Sequence, residues 1–225
     1  QRQMCIRDSI TADEMARPAV GMKYSKVIFV GDSRTVGMYA TLNKQIGSSS
    51  SSGVSFVASA GQGLSWFQSE GYAKLLKEVE KAEGSLPVAV VFNLGVNDMA
   101  NASNYVSYMT NIASTLKSKN CKLFYMSVNP LNSTMITKAG KGSRTEAQVR
   151  EFNSKIRSGL SANYKYIDTY SVLMKTGYGT NASYNGEDSV SDDGLHYTTK
   201  TFKRIYYYCV IYLNTCLLYT SDAAD

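Results

Sequence analysis

One serine and one histidine of this 225-residue chain have neighbours that suit nucleophilic catalysis. Ser33 lies in the segment Gly31-Asp32-Ser33, and His196 is the only histidine, three residues after Asp193. A serine hydroxyl is a poor nucleophile near neutral pH. It needs an imidazole to accept its proton and a carboxylate to hold that imidazole. If Ser33 is a nucleophile, His196 is the one histidine in the chain that can activate it.

Each segment also has a purely structural interpretation, because Gly-Asp-Ser is a good helix cap and a lone histidine is often a hydrogen-bonded structural residue. Ser33, however, directly follows the apolar run KVIFV and precedes a predicted helix that begins at Arg34. Backbone N–H groups at such a helix start could stabilise an oxyanion. A third polar segment, FNLGVND, ends another apolar run. Its Asn97 could donate an amide N–H to the same oxyanion.

The rest of the chain predicts the scaffold that would bring these segments together. From Lys23 onward, short apolar runs alternate with longer stretches of helical periodicity, which is typical of a parallel sheet covered on both faces. The predicted strands are Lys26 to Val30, Val54 to Ala58, Val88 to Asn93, Lys122 to Val128 and Tyr164 to Asp168. We therefore predict an α/β fold, a three-layer α/β/α sandwich with a five-stranded parallel sheet. Ligands of such sheets bind at the carboxyl ends of the strands.

Apolar residues at helical spacing predict the helices that cover this sheet. Their stripes run from Leu64 to Val79, Tyr105 to Leu116, Val149 to Leu160 and Phe202 to Leu213. Trp66 and the run Tyr206 to Tyr208 could stack on sugar rings, but helical spacing argues against that role, and Tyr206 is predicted to lie on the core stripe. The neighbours of Tyr206 are expected at the surface.

Four segments, taken in order, resemble the conserved blocks of the SGNH/GDSL hydrolase family. They are GDSR after the first predicted strand, SAGQG after the second, GVND after the third and DDGLHY near the carboxyl end. The resemblance extends from Lys26 to Tyr197, and the four blocks together are far more specific than any one of them. It implies the flavodoxin-like SGNH hydrolase fold and an ester-hydrolysing activity.

Carried over residue by residue, the resemblance implies a role at each of five positions. Ser33 would be the nucleophile. His196 would act as general base and later as general acid, and Asp193 would orient its imidazole. The backbone N–H groups of Ser33 and Gly63 and the side chain of Asn97 would form the oxyanion hole. Gly63 is preferred to Gly61 because the family's oxyanion glycine is usually the later of the two in this block.

Arg34 departs from the family pattern, since it occupies the position that gives the GDSL name its leucine. A guanidinium is always charged in proteins. Arg34 is therefore expected either to bind an anionic group of the substrate or to face solvent at the start of the helix.

The resemblance implies hydrolysis of a small acyl ester, with an acetyl group on a carbohydrate as the first expectation, through an acyl-enzyme on Ser33. Transfer of the acyl group to a glycan hydroxyl would use the same acyl-enzyme, so the sequence leaves that alternative open. A third alternative is a non-catalytic flavodoxin-like module that cradles phosphate with the segment GQGLSW. It fits poorly, because Trp66 stands where the dinucleotide fingerprint needs a small residue.

Composition indicates few other partners. The net charge is +6, but Lys and Arg are scattered, so no nucleic-acid partner is predicted. With one histidine and no CxxC pair, neither a metal nor another cofactor is predicted. No apolar run is long enough to span a bilayer. An extracytoplasmic location is favoured, with any signal peptide upstream of this segment, and the sequence does not determine the oligomeric state.

The two ends of the chain are expected to have a common origin outside the domain. QRQMCIRDS (residues 1–9) and CLLYTSDAAD (residues 216–225) can be translated from complementary strands of one DNA string, which matches a transposase adapter of shotgun sequencing libraries. We predict that both are non-native and exclude them from the fold. Residues 10–23 are then a linker and residues 24–215 one hydrolase domain, in which Cys121 and Cys209 are predicted core thiols.

Overall fold

The structure, a computed structural model, describes residues 23–46 and 53–215. The two predicted adapter segments and residues 10–22 of the predicted linker lie outside the described residues. The five strands of the main sheet are β1 (Lys26–Gly31), β2 (Val54–Ala58), β3 (Val88–Asn93), β4 (Cys121–Met126) and β5 (Lys165–Ile167). All neighbouring pairs are parallel. The five predicted strands are confirmed, with some ends shifted by one or two residues.

Alternate residues of each strand supply two separate hydrophobic cores, one on each face of the sheet. In β1, Ile28 and Val30 belong to one core, and Val27 and Phe29 belong to the other. Successive side chains of a strand point to opposite faces. Because both faces are covered, the central strands must be apolar at every position, which explains why their sequences do not alternate.

Helices form the two outer layers of a three-layer α/β/α sandwich, as predicted. In chain order they are α1 (Ser33–Ile46), α2 (Leu64–Trp66), a π-helical segment (Phe67–Gly71), α3 (Tyr72–Glu80), a 3-10 turn (Met99–Asn101), α4 (Ala102–Ser118), α5 (Ser133–Lys138), α6 (Glu146–Gly159), α7 (Thr169–Thr176) and α8 (Thr199–Thr215). The core that contains Val30 is covered by α2 to α6, and the core that contains Phe29 by α1, α7 and α8.

The strand order β2-β1-β3-β4-β5 places the functional edge of the sheet. The chain passes from β1 to β2 and then crosses back to β3 on the other side of β1. This reversal leaves a crevice outside the carboxyl ends of β1 and β3, where ligands of open α/β sheets bind. The order is that of the flavodoxin-like folds, as the sequence predicted.

A small second sheet, which the sequence did not predict, lies in the long segment before α8. It pairs β6 (Thr180–Asn181) with β7 (His196–Tyr197) in antiparallel orientation. Strands of two residues are too short to show hydrophobic periodicity. The pairing matters for function because His196 is one of its members.

The aromatic residues and the cysteines of the predicted stripes are mostly where expected. Tyr206 is buried, as predicted, Trp66 is buried as well, and Cys121 and Cys209 are buried free thiols. The expectation that the neighbours of Tyr206 lie at the surface is wrong for Tyr207, which is buried. The reason is that α8 packs along α1 as well as on the sheet. Within the described ranges, no helix is both long and apolar enough to cross a membrane.

Candidate active site

Ser33 is the first residue of α1 and follows β1 after one intervening residue. Gly31 makes this tight turn possible, because a Cβ at that position would lie 1.9 Å from Thr35 Oγ1 and 2.8 Å from the backbone oxygen of Asn93. The first N–H groups of a helix have no acceptor within the helix. Ser33 thus brings both a hydroxyl and a backbone donor to the carboxyl edge of the sheet.

The segment from Asp193 to His196 folds around the Asp193 carboxylate, which accepts hydrogen bonds from it. Its Oδ1 accepts the backbone N–H groups of Leu195 and His196, both at 2.9 Å, and its Oδ2 lies 2.7 Å from His196 Nδ1. Gly194, with φ +69°, adopts the left-handed conformation that bends the chain back. His196 Nε2 lies 2.9 Å from Ser33 Oγ. The structure therefore brings together the three side chains that the sequence proposed as a triad.

These three side chains are shielded from solvent, with Ser33 4%, Asp193 2% and His196 5% exposed. Burial alone would raise the pKa of the Asp193 carboxyl. The hydrogen bonds from the His196 side chain and from the two backbone N–H groups outweigh burial and lower that pKa to about 2. Asp193 is thus ionised at neutral pH and can hold an imidazolium.

Asp32, the residue before Ser33, is a second buried carboxyl with the opposite electrostatic outcome. Burial raises the pKa of Asp32 to about 6, although the charge of Arg34 and the Arg34 backbone N–H, 2.9 Å from Oδ1, act to lower it. Asp32 accepts fewer hydrogen bonds than Asp193, so burial prevails. Its contact with the Arg34 N–H stabilises the start of α1.

The segments that follow β2 and β3 are joined by two hydrogen bonds. Asn97 Nδ2 donates to the backbone oxygen of Gln62 at 2.9 Å, and the Leu64 N–H donates to Asp98 Oδ2 at 2.9 Å. Gly63 lies between these two links, and a Cβ there would lie 2.4 Å from Asp98 Oδ2. The structure thus brings the predicted oxyanion residues Gly63 and Asn97 into adjoining, linked segments.

The two glycines considered for the oxyanion hole have different surroundings. Gly63 precedes α2 and packs against the Asp98 carboxylate, so a larger residue there would displace that carboxylate. Gly61 has φ +72°, and a Cβ built on it would meet no atom within 4 Å. Gly61 is thus a turn residue in open space, and Gly63 is packed within the site.

The side-chain amide of Asn97 is oriented from both ends. Its Nδ2 donates to Gln62, and its Oδ1 accepts from Arg144 Nη2 at 3.3 Å. Arg144 is itself placed by a hydrogen bond from Nε to the Val96 backbone oxygen at 3.0 Å. A primary amide carries two N–H donors, so one remains for a ligand. Arg144 precedes α6 and had no periodic signal in the sequence.

Arg34 is buried, with 3% of its surface exposed, so the expectation that it faces solvent is wrong. Its Nε donates to the Leu195 backbone oxygen at 2.9 Å and its Nη1 to that of Asn129 at 2.9 Å. Its guanidinium also lies 4.8 Å from the centroid of the Tyr197 ring. These contacts tie the segment that carries His196 to the one that follows β4. No sequence signal distinguished this role from a charge at the surface.

Tyr184, in the connection between β6 and β7, contacts the site although no signal in the sequence pointed to it. The centroid of its ring lies 4.5 Å from that of the His196 imidazole, with 31° between the planes. Tyr184 is twelve residues before His196 in an irregular segment. The antiparallel pairing of β6 with β7 places Asn181 opposite His196 and so brings the segment that carries Tyr184 to the imidazole.

The sequence of the chain matches the family model of the GDSL-like lipase/acylhydrolases over residues 8–208. The chain belongs to this family. It is an SGNH-type serine ester hydrolase, as the motifs predicted. No curated protein matches it in sequence. In residues 23–46 and 53–215, no group of three or more His, Cys, Asp and Glu side chains is placed to hold a metal ion.

Solved structures with the same fold come from several esterases. An acetyl xylan esterase, AlAXEase, is 14% identical and matches 84% of this chain and 99% of its own, with a TM-score of 0.55. A lipolytic protein of the G-D-S-L family from Veillonella parvula is 16% identical over 84% and 98% of the two chains, with a TM-score of 0.54. The psychrotrophic esterase EstA from Pseudoalteromonas is 14% identical over 85% and 100%, with a TM-score of 0.51. At these identities the likeness concerns the fold.

Proposed function

We propose that this hydrolase cleaves a small acyl ester through an acyl-enzyme on Ser33, with an acetyl group on a carbohydrate as the first candidate substrate. The observation that carries the proposal is the hydrogen-bonded series from Asp193 Oδ2 to His196 Nδ1, 2.7 Å, and from His196 Nε2 to Ser33 Oγ, 2.9 Å. Each distance is within the reach that proton transfer between such groups requires.

In the first half of the reaction, Ser33 Oγ forms a bond to the acyl carbon while its proton passes to His196 Nε2. The electron pair of the carbonyl moves onto its oxygen, which becomes an oxyanion. Asp193 holds the imidazolium through Nδ1. The tetrahedral intermediate then breaks its bond to the alcohol oxygen, which takes the proton from Nε2, and the acyl group remains on Ser33.

In the second half, water replaces the alcohol. His196 Nε2 takes a proton from water as the water oxygen bonds to the acyl carbon. Collapse of the second intermediate breaks the bond to Ser33 Oγ, which recovers its proton from His196. The products are a carboxylic acid and the free enzyme. A sugar hydroxyl in place of water would give acyl transfer.

The developing oxyanion would be stabilised by the Ser33 and Gly63 backbone N–H groups and by the second N–H of Asn97. Donors that are already oriented cost no reorganisation during the reaction. The fixed amide of Asn97, held by Gln62 and Arg144, supports this role. An acetyl xylan esterase shares the fold, which supports acetylated carbohydrate as the first substrate to assay.

A phosphonate reagent tests the proposed nucleophile, since EstA has a structure inhibited by monoethylphosphonate. The chain should react with a fluorophosphonate at one position, and Ser33→Ala should abolish both labelling and ester hydrolysis. Ser158→Ala, which alters an exposed serine on α6, is the matched control and should behave like the unchanged chain. Equal labelling of Ser33→Ala and the control would show that the nucleophile lies elsewhere.

A panel of esters with increasing acyl length then tests the substrate class. Acetyl esters, including acetylated xylan, should be cleaved fastest, and adding a glycan acceptor should leave the yield of free acetate unchanged. Mass-spectrometric detection of newly acetylated glycan with a matching fall in free acetate would instead identify an acyltransferase.

A further inference from the structure

Tyr184 covers one face of the imidazole that the proposed mechanism protonates. The two ring centroids are 4.5 Å apart and the planes are inclined by 31°. Tyr184 is 37% exposed, whereas His196 beneath it is only 5% exposed. The tyrosine ring therefore lies between this face of the imidazole and the solvent.

Hydrogen bonds within its own segment hold Tyr184 in this position. Asn181 Nδ2 donates to the Tyr197 backbone oxygen at 2.9 Å, and Asn181 Oδ1 accepts the Ser183 N–H at 2.6 Å. Ser183 Oγ donates to Asn185 Oδ1 at 2.7 Å. These contacts brace the residues on both sides of Tyr184 against the strand that carries His196.

Helix α1 leaves the space that the tyrosine needs. Gly37 lies one turn after Ser33, and a Cβ there would come within 3.0 Å of Tyr184 Cβ and still closer to the Phe202 ring. A side chain at this position would press on both aromatic residues. The absence of one allows Tyr184 to sit beside the turn that presents the nucleophile.

An aromatic face attracts a cation within about 6 Å of its centroid more strongly than it attracts a neutral ring. The imidazole of His196 is neutral when it accepts the Ser33 proton and cationic immediately afterwards. The contact with Tyr184 therefore strengthens as the reaction proceeds, and only such differential interactions lower the barrier. We propose that Tyr184 is a positioning residue whose ring face stabilises the imidazolium form of His196. This inference rests on the proposed function of the same site.

The other groups around the imidazole act on its edge or from a greater distance. Asp193 contacts Nδ1 and Ser33 contacts Nε2, both at hydrogen-bond distance. The buried Asp32 interacts with His196 through its charge, and Arg34 binds the backbone oxygen of Leu195. These groups are unchanged by a substitution at position 184, so a variant there isolates the contribution of the ring face.

The test uses the fact that His196 is the only histidine of the chain, so its imidazole gives one set of NMR signals. The full chain, Tyr184→Phe and Tyr184→Leu are titrated by NMR and assayed on an acetyl ester. Phe keeps the aromatic face, while Leu keeps an apolar cover without it. Tyr184→Phe should match the unchanged chain. Tyr184→Leu should lower the midpoint of the imidazole titration, and it should lower kcat about two- to fivefold with little change in KM.

Equal midpoints and equal kcat for the Phe and Leu variants would overturn the inference. A fall of the midpoint in both variants would also overturn it, since the hydroxyl rather than the ring face would then be responsible. The NMR titration needs no turnover, so it can be repeated in Ser33→Ala. If the chain proves inactive on every ester while the Phe and Leu midpoints still differ, the proposed function fails and the imidazolium contact stands.

Discussion

The acid–base half of the site, Asp193 and His196, is held by contacts within four consecutive residues, whereas the oxyanion half is assembled from segments that follow several different strands. Asp193 binds the backbone and side chain of His196 three residues later. Asn97, by contrast, is oriented by Gln62 and by Arg144, which are 35 and 47 positions away. The first half is thus specified locally, and the second depends on how the loops pack.

The two halves also differ in burial. Asp193 and His196 are almost fully buried, while Asn97 is only partly buried. Electrostatic interactions weaken where water can approach. We therefore expect substitutions in the acid–base half to have larger effects on the rate than those in the oxyanion half. Substitutions that preserve the fold can test this ranking.

The largest expected effect is that of Asp193→Asn. The amide can still accept hydrogen bonds through one oxygen, but it no longer carries the charge that supports the imidazolium and the correct tautomer of His196. The loss of kcat should be on the order of 10⁴-fold with the fold preserved. Steady-state hydrolysis of an acetyl ester and far-UV circular dichroism measure the two quantities.

Asp192→Asn is the matched control, because Asp192 is the adjacent acid and binds Thr180 Oγ1 and the Gly194 N–H rather than the imidazole. It should stay within about threefold of the unchanged chain, since the amide oxygen can accept the Gly194 N–H and the amide nitrogen can donate to Thr180 Oγ1. Similar large losses in both variants would mean that the whole turn, and not the Asp193 charge, controls the rate.

The next effect concerns the oxyanion half. Asn97→Ala removes a donor that the transition state needs, so kcat should fall on the order of 10²- to 10³-fold while KM changes little. Asn111→Ala, which truncates an exposed asparagine on α4, should leave the rate unaltered. An Asn97→Ala rate equal to that of the control would show that Asn97 does not donate to the oxyanion and that backbone N–H groups alone stabilise it.

The smallest of the three effects is on the free energy of unfolding, to which the two buried carboxyls, Asp32 and Asp193, contribute with opposite signs. Burial raises the pKa of Asp32 from 3.8 to about 6, so ionising this group destabilises the fold. The free energy of unfolding therefore falls as pH rises from about 4 to 6. The pKa of Asp193 is lowered from 3.8 to about 2, so ionising this group stabilises the fold. That contribution is present above about pH 4 and is lost as pH falls toward 2.

Asp32→Asn should therefore have the same free energy of unfolding as the unchanged chain near pH 4 and a higher one at pH 7. The difference at pH 7 should be on the order of 2 to 3 kcal/mol. Urea denaturation of both proteins across this range measures it, and contributions from other titrating groups cancel in the comparison. A constant difference between pH 4 and pH 7 would be inconsistent with a raised pKa at Asp32.

The local sequence was sufficient to predict the strands of the main sheet and the turn that carries Asp193 and His196. The five strands could be predicted because a strand buried on both faces must be apolar at every position, and the helices because their stripes repeat at helical spacing. The segment Asp193-Gly194-Leu195-His196 could be interpreted because its main contacts join residues no more than three apart. Such features depend on neighbours along the chain.

Only the tertiary structure decided what Arg34, Arg144 and Tyr184 do. Arg34 is buried because backbone oxygens from two distant segments converge on its guanidinium. Arg144 reaches Asn97, and Tyr184 reaches His196, across irregular segments that have no period from which a position could be predicted. Hydrogen-bond partners and ring contacts of this kind depend on how loops from separate strands pack against one another. That packing is settled by the fold as a whole, because no short stretch of the sequence contains both partners.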